Sequence, residues 1–162
     1  METRDFYRME AGCELRFCEL GTCYHLCTSE NSPVLFPSER EFKTAMNIVA
    51  LASSLFPDIM ILTFEVMSNH LHFALCGNES RIHDWFEKMI TLFKQHPDLK
   101  DSKEAVSSLR EKLIAVEDLD NLRNVIVYVN RNGYVADIDH TPFFLPLGRK
   151  QVFLQRRGEE KI

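Results

Sequence analysis

Several features are missing from this sequence, and each absence narrows what it does. No apolar run approaches the ~20 residues that a membrane-spanning helix needs. The opening residues Met1-Glu2-Thr3-Arg4-Asp5 lack the basic-then-apolar form of a secretory signal, so the expected location is the cytoplasm, with no membrane partner. Basic charge is not in excess: 19 Lys and Arg stand against 24 Asp and Glu, a net charge of −5. That balance excludes sequence-blind binding of nucleic acid over the whole surface, but not a locally basic groove. There is no C-x-x-C pair, no second H-x-H, no internal repeat and no low-complexity run.

What remains is ordinary for a globular protein. The chain has 162 residues, 45% of them hydrophobic and 27% charged, enough for one domain with a sizeable core. Its five cysteines are an odd number, which without export points to free thiols. Cys13, Cys18, Cys23 and Cys27 fall at C-x4-C-x4-C-x3-C. Zinc sites favour tighter pairs, and Cys23 and Cys27 lie in a strand where a small apolar residue fits, so the strand reading is preferred.

Periodicity supplies the elements. Gly21 to Thr28 alternates as a strand, and Asn31-Ser32-Pro33 breaks it. Ser38 and Glu41 have the spacing of a capping box, and Phe42, Ala45, Met46, Val49, Ala52 and Leu55 follow at helical spacing. Ile59 to Met67 is a strand, Ser68-Asn69 a tight connection and His70 to Cys76 another strand, making a hairpin. Arg81 to His96 is an amphipathic helix that Pro97 stops, with Ile82, Phe86, Met89, Ile90 and Phe93 on its core face. Leu99 to Arg110 is polar, a short helix or a loop, and Glu111 to Val116 is a strand. Asp118 or Asp120 caps a last helix over Leu119 to Asn132, with Leu122, Val125, Ile126 and Val129 as its stripe and Gly133 just past its end. The fold class is therefore α+β. A ferredoxin-like β-α-β-β-α-β core is followed by one extra helix, with a turn-rich, then polar and basic tail over 138–162.

Two groups of residues carry chemistry. On a strand, His70 and His72 share a face while Leu71, Phe73 and Leu75 take the other, so two imidazoles stand side by side where they can hold a divalent cation. An H-x-H alone is equally two polar residues on a half-exposed strand. On the last helix, Tyr128 and Asn132 are one turn apart on one flank, at the edge of the buried stripe. Either is ordinary alone. Beside the histidines, the Asn132 amide oxygen makes a third ligand and Tyr128 a phenol facing the metal. Attack of a tyrosine oxygen on a phosphodiester gives a covalent phosphotyrosine, with the metal neutralising developing charge.

Met67-Ser68-Asn69-His70-Leu71-His72 resembles the M-P-N-H-hydrophobic-H segment of HUH single-tyrosine transposases, the insertion-sequence-200-like and REP-associated enzymes. Tyr24-His25-Leu26 resembles their first-strand signature, and Tyr128 to Val135 resembles their Y-I-H-x-N-P-V motif. The three segments keep the family's order and span most of residues 21–137. The resemblance implies a ferredoxin-like domain over 1–137 with the histidine pair on a central strand of an antiparallel sheet. It implies Mg or Mn on His70, His72 and Asn132, with Tyr128 as nucleophile. Such enzymes cleave single-stranded DNA near hairpins, leave a 5′-phosphotyrosine and a free 3′-OH, and transfer the strand, some of them as homodimers. The sequence departs from the pattern at Ser68, Asn130 and Gly133, where the family has Pro, His and Pro. An isoelectric point near 5.7 is also low for such an enzyme.

Further DNA contacts are expected from Arg123 and Arg131 on the tyrosine helix, from Trp85 as a stacking face off the main stripe, and from His25. Arg81, Lys88 and Lys94 are further cations that can reach phosphate, and His83, His96 and His140 read as surface residues without partners. Two other functions stay open. One is a non-catalytic or decayed DNA-hairpin binder of the same family. The other is a metal-dependent phosphoesterase acting on a soluble nucleotide, which usually needs a second histidine motif.

Overall fold

The computed structural model describes residues 21–29 and 33–136, with side chains as far as Asn132. The tail over 138–162, His140 and the cysteines Cys13 and Cys18 lie outside the described residues. The order is β1 (Thr22–Thr28), α1 (Glu39–Ser54), β2 (Met60–Val66), β3 (Leu71–Gly77), α2 (Glu79–Gln95), a 3-10 turn (Pro97–Leu99), α3 (Lys103–Ser108), β4 (Glu111–Val116) and α4 (Leu119–Ala136). The sheet runs β2-β3-β1-β4 with every pair antiparallel. This is the mixed α+β architecture expected from the sequence, with the polar stretch taking the short-helix alternative as α3.

Local chemistry sets the helix starts. Ser38 Oγ accepts the Glu41 N–H at 3.3 Å and donates to the Glu41 carboxylate at 2.6 Å. Asn78 accepts the Ser80 N–H at 3.0 Å to open α2, and Asp118 accepts the Asn121 N–H at 2.7 Å to open α4. Pro97 follows α2 and forces the chain into the 3-10 turn.

The sheet has two unlike faces. Tyr24, Leu26, Leu71, Phe73, Leu75, Phe64 and Val66 form one, sealed by α1 and α2 into the main apolar core. Burial of each such large side chain contributes about 1.5–3 kcal/mol. The other face carries Cys23, His25, Cys27, His72, Ala74 and Cys76, which share it through the β1–β3 register. Among the described residues α4 alone lies over it, with Leu122 packed on Cys23 and Cys76. A bulge in β2 at Leu62 shifts the register between Ile61 and Thr63. One extra residue reverses the alternation, so Ile61 and Phe64 both join the core while Thr63 and Glu65 come to the α4 side.

Several expectations are corrected. Trp85 is fully buried and meets Phe73 edge-on at 5.0 Å, so it offers no face to a base. It is three residues after Ile82 and four before Met89, which places it inside the helix stripe rather than beside it. Cys23 and Cys76 are joined in a disulfide instead of being free thiols, because the register sets them directly opposite each other. Cys23 therefore cannot join a four-cysteine zinc site while the bridge stands. Gly133 does not end the last helix, which runs on to Ala136. His83 meets Glu111, and His96 accepts the Asp98 N–H at 3.2 Å, so neither is without a partner. Arg81 is held by Asp58 and Asp84 and lies over the Phe56 ring at 4.7 Å.

Candidate active site

His72 is the centre of the α4-side face. It sits on the inner strand β3, directly opposite Cys27 on β1 and Glu65 on β2, and is 2% exposed. Its Nδ1 is 3.2 Å from Nε2 of His25, and the two rings stack with centroids 5.4 Å apart. One of the two nitrogens must carry the shared proton. The other nitrogen of His72, Nε2, is buried with no hydrogen-bond partner. Such an atom is costly unless something binds it.

His70 precedes β3, at the end of a tight turn closed by the Met67 N–H to the His70 carbonyl at 2.9 Å. Its Nδ1 is 2.7 Å from Asn69 Oδ1, which orients the ring. The ring stands nearly perpendicular to that of His72, with centroids 4.7 Å apart. The two histidines of the H-x-H are thus neighbours.

Tyr128 reaches His72 and His25 from α4. Its ring meets His72 edge-on at 5.4 Å and His25 at 5.6 Å. At 45% exposed it also opens to solvent. It borders a groove of about 470 Å³ between α4 and β4, lined also by His25, Ile114, Asn121, Asn124 and Val125. The position of α4 is pinned by Asn130, whose Oδ1 accepts from Thr63 Oγ1 at 3.0 Å while its Nδ2 donates to the Ile126 carbonyl at 2.8 Å. Asn132, one turn beyond Tyr128, is half-buried and its Nδ2 has no partner. The two ends of a carboxamide are isosteric, so a half-turn puts the oxygen in that place.

Burial governs the charges. It pushes the His72 pKa down to about 4, helped by repulsion from His70 and His25. His25 is also held below the usual histidine value, by burial first and the Lys112 ammonium second. Both rings are neutral at pH 7 and have lone pairs to give. Glu65 goes the other way: burial raises it to about 7. Sequence reasoning missed Glu65, because strict alternation sets it on the core side and only the bulge brings it round.

Could these residues hold a cation? The unpartnered Nε2 of His72 and the adjacent His70 offer two nitrogen donors, and a carboxamide such as that of Asn132 offers an oxygen. Such a set suits manganese better than magnesium, which prefers oxygen alone. Among the described residues a second grouping also exists: His25, Cys27 and His72 have ligand atoms all within 4.8 Å of one another. Of the expected DNA contacts, His25 lies in the cluster, while Arg123 and Arg131 are exposed on α4, with Arg123 paired to Asp120 at 2.9 Å. Trp85 is in the core on the opposite face.

No helix among the described residues is long and apolar enough to cross a membrane. No protein-family model matches the chain, and no curated protein matches it. Among solved structures, one of a REP-associated tyrosine transposase bound to a REP hairpin aligns with 72% of this chain and 69% of its own, at 12% identity and a TM-score of 0.48. A likeness of that degree carries no residue role and no activity to this chain.

Proposed function

We propose that this protein cleaves and rejoins single-stranded DNA through Tyr128, with a divalent cation held by His70, His72 and Asn132. The observation that carries the reading is the position of Tyr128. A half-exposed phenol packs edge-on against a histidine 2% exposed, which itself adjoins the second histidine of an H-x-H. The motif segments around His25, His70 and Tyr128 support it independently.

In this reading the scissile phosphate enters from the groove beside Tyr128. The Tyr128 oxygen attacks phosphorus, forming a P–O(Tyr) bond as the bond to the 3′ oxygen breaks. The phenol proton leaves to water in the groove, and the departing 3′ oxygen takes up a proton to become a free 3′-OH. A 5′-phosphotyrosine remains, and attack by a 3′-OH reverses the step without a nucleotide cofactor. The cation, when bound, polarises the phosphate and neutralises charge on its oxygens. His25 holds His72 in one orientation, and Asn130 fixes the helix that carries the nucleophile. Arg123 and Arg131 supply phosphate contacts along α4.

A second reading is a DNA-hairpin binder without chemistry, which the net charge of −5 and the tie of His72 Nδ1 to His25 favour. A covalent-capture assay separates the two. Wild type and Tyr128→Phe are mixed with labelled single-stranded hairpin oligonucleotides and Mn or Mg, then run on denaturing gels and weighed intact. The enzyme reading expects a metal-dependent adduct in wild type and none in Tyr128→Phe. An adduct that survives Tyr128→Phe, or hairpin binding with no adduct in wild type, would sink it.

A further inference from the structure

We propose that His25, Cys27 and His72 form a second cation site, one that takes a thiophilic metal of the zinc type. The site arises from strand geometry. Cys27 stands directly opposite His72 across the β1–β3 pair, and His25 is two residues from Cys27 on β1, so all three side chains leave the same face. Their ligand atoms already lie within 4.8 Å of one another. Two imidazole nitrogens bound to one tetrahedral zinc at ~2.0–2.1 Å are about 3.3 Å apart. Nε2 of His25 and Nδ1 of His72 are 3.2 Å apart here, so that edge of the tetrahedron is already spaced.

The donors choose the metal. One thiolate and two imidazoles suit zinc, cobalt, nickel or copper, and suit magnesium or calcium poorly. Lys112 lies opposite Cys27 on the other side of β1. Cys27 is outside the Cys23–Cys76 disulfide. Three protein ligands leave a fourth position for water or an anion, and His25 borders the groove through which either would arrive.

This set differs from the one under Proposed function. It uses Nδ1 of His72, with His25 and Cys27, where the other uses the opposite nitrogen with His70 and Asn132. A neutral imidazole has one lone pair to give at a time. The two sets therefore exclude each other at His72, and zinc would switch off the strand chemistry; this consequence rests on the proposed function, whereas the binding itself does not.

The test is cobalt(II) titration of the full chain, without DNA, followed by absorption. The expected result is one cobalt per chain with a sulfur-to-cobalt charge-transfer band and the d–d bands of a tetrahedral ion, all bleached by equimolar zinc. Cys27→Ser loses the charge-transfer band, His25→Ala weakens affinity by more than about tenfold, and His70→Ala and Tyr128→Phe keep both. Cys27→Ala repeats the sulfur test, and far-ultraviolet circular dichroism verifies that each variant is folded. Absence of the band in wild type, its survival in a folded Cys27 variant, or its loss in His70→Ala would each overturn the site. Failure of the DNA adduct leaves this result untouched, because no strand cleavage enters the readout.

Discussion

The two faces of the sheet are built from the same strands and differ in almost everything else. On the α1–α2 side, Phe73, Leu71 and Leu75 are packed between the sheet and two helices. On the α4 side, the same strand presents His72, Ala74 and Cys76 to one helix. The first face gains its stability from apolar area and tolerates no charge. Among the described residues the second buries a small apolar cluster and keeps imidazoles, a thiol and a carboxyl close together beneath α4. Alternation along one strand thus separates stability from chemistry by the thickness of the sheet.

The sharpest way to break that comparison is one large truncation on each face. Phe73→Ala should cost about 3–5 kcal/mol in urea unfolding. Tyr128→Phe should leave stability within about 0.5 kcal/mol, since the side chain is 45% exposed, while removing the DNA adduct entirely. Equal losses of stability would mean that the faces are not divided in this way.

A smaller effect comes from Glu65. Its carboxyl is raised to about 7 in the folded chain against 4.5 when unfolded. A raised folded value means that the native state holds the proton more tightly. The stability this gives is complete below pH 4.5 and is lost as pH rises through 7. Glu65→Gln keeps the neutral form at every pH, so it should gain about 1–3 kcal/mol over wild type at pH 8 and nothing at pH 4. His72 works in the opposite sense. Its folded pKa of about 4 is depressed, so stability present above 6.5 is lost as pH falls toward 4. A pH series of urea melts on wild type and Glu65→Gln distinguishes the two, because only the neutral-side loss disappears in the variant.

The smallest expected change is at the joint between the faces. Asn130→Ala removes the bond from Thr63 and that to the Ile126 carbonyl, and should cost about 1–2 kcal/mol. It should also loosen α4 over the site, which amide hydrogen exchange would report as faster exchange in α4 with β3 unchanged. Exchange that rises equally in both elements would instead make Asn130 part of the main core.

Much of the fold was legible in the sequence because its signals are local. Ser38 and Glu41 announce α1, Pro97 ends α2, and β4 runs over the expected Glu111–Val116. The apolar stripe of α2 is legible too, apart from Trp85, which packs with Ile82, Phe86 and Met89 in a stripe wider than the spacing alone suggests. The histidine pair and Tyr128 were candidates by spacing and resemblance alone. His25, Glu65 and the Cys23–Cys76 bridge are different in kind. Each depends on which residue stands opposite on another strand, and a bulge of one residue at Leu62 changes that answer for half of β2.

By itself, then, the sequence determined the elements, their order, the alternation that sends Phe73 and His72 to opposite faces, and the place of Tyr128 on the last helix. Only the tertiary structure decided that His25 and Cys27 meet His72, that Glu65 joins them, and that Cys23 faces Cys76. The physical reason is range. Backbone preferences and side-chain period act over a few residues and can be read along the chain. The β1–β3 register joins positions some 50 residues apart, the bulge in β2 resets the nearer Glu65–His72 pairing, and both are fixed only when the whole core packs.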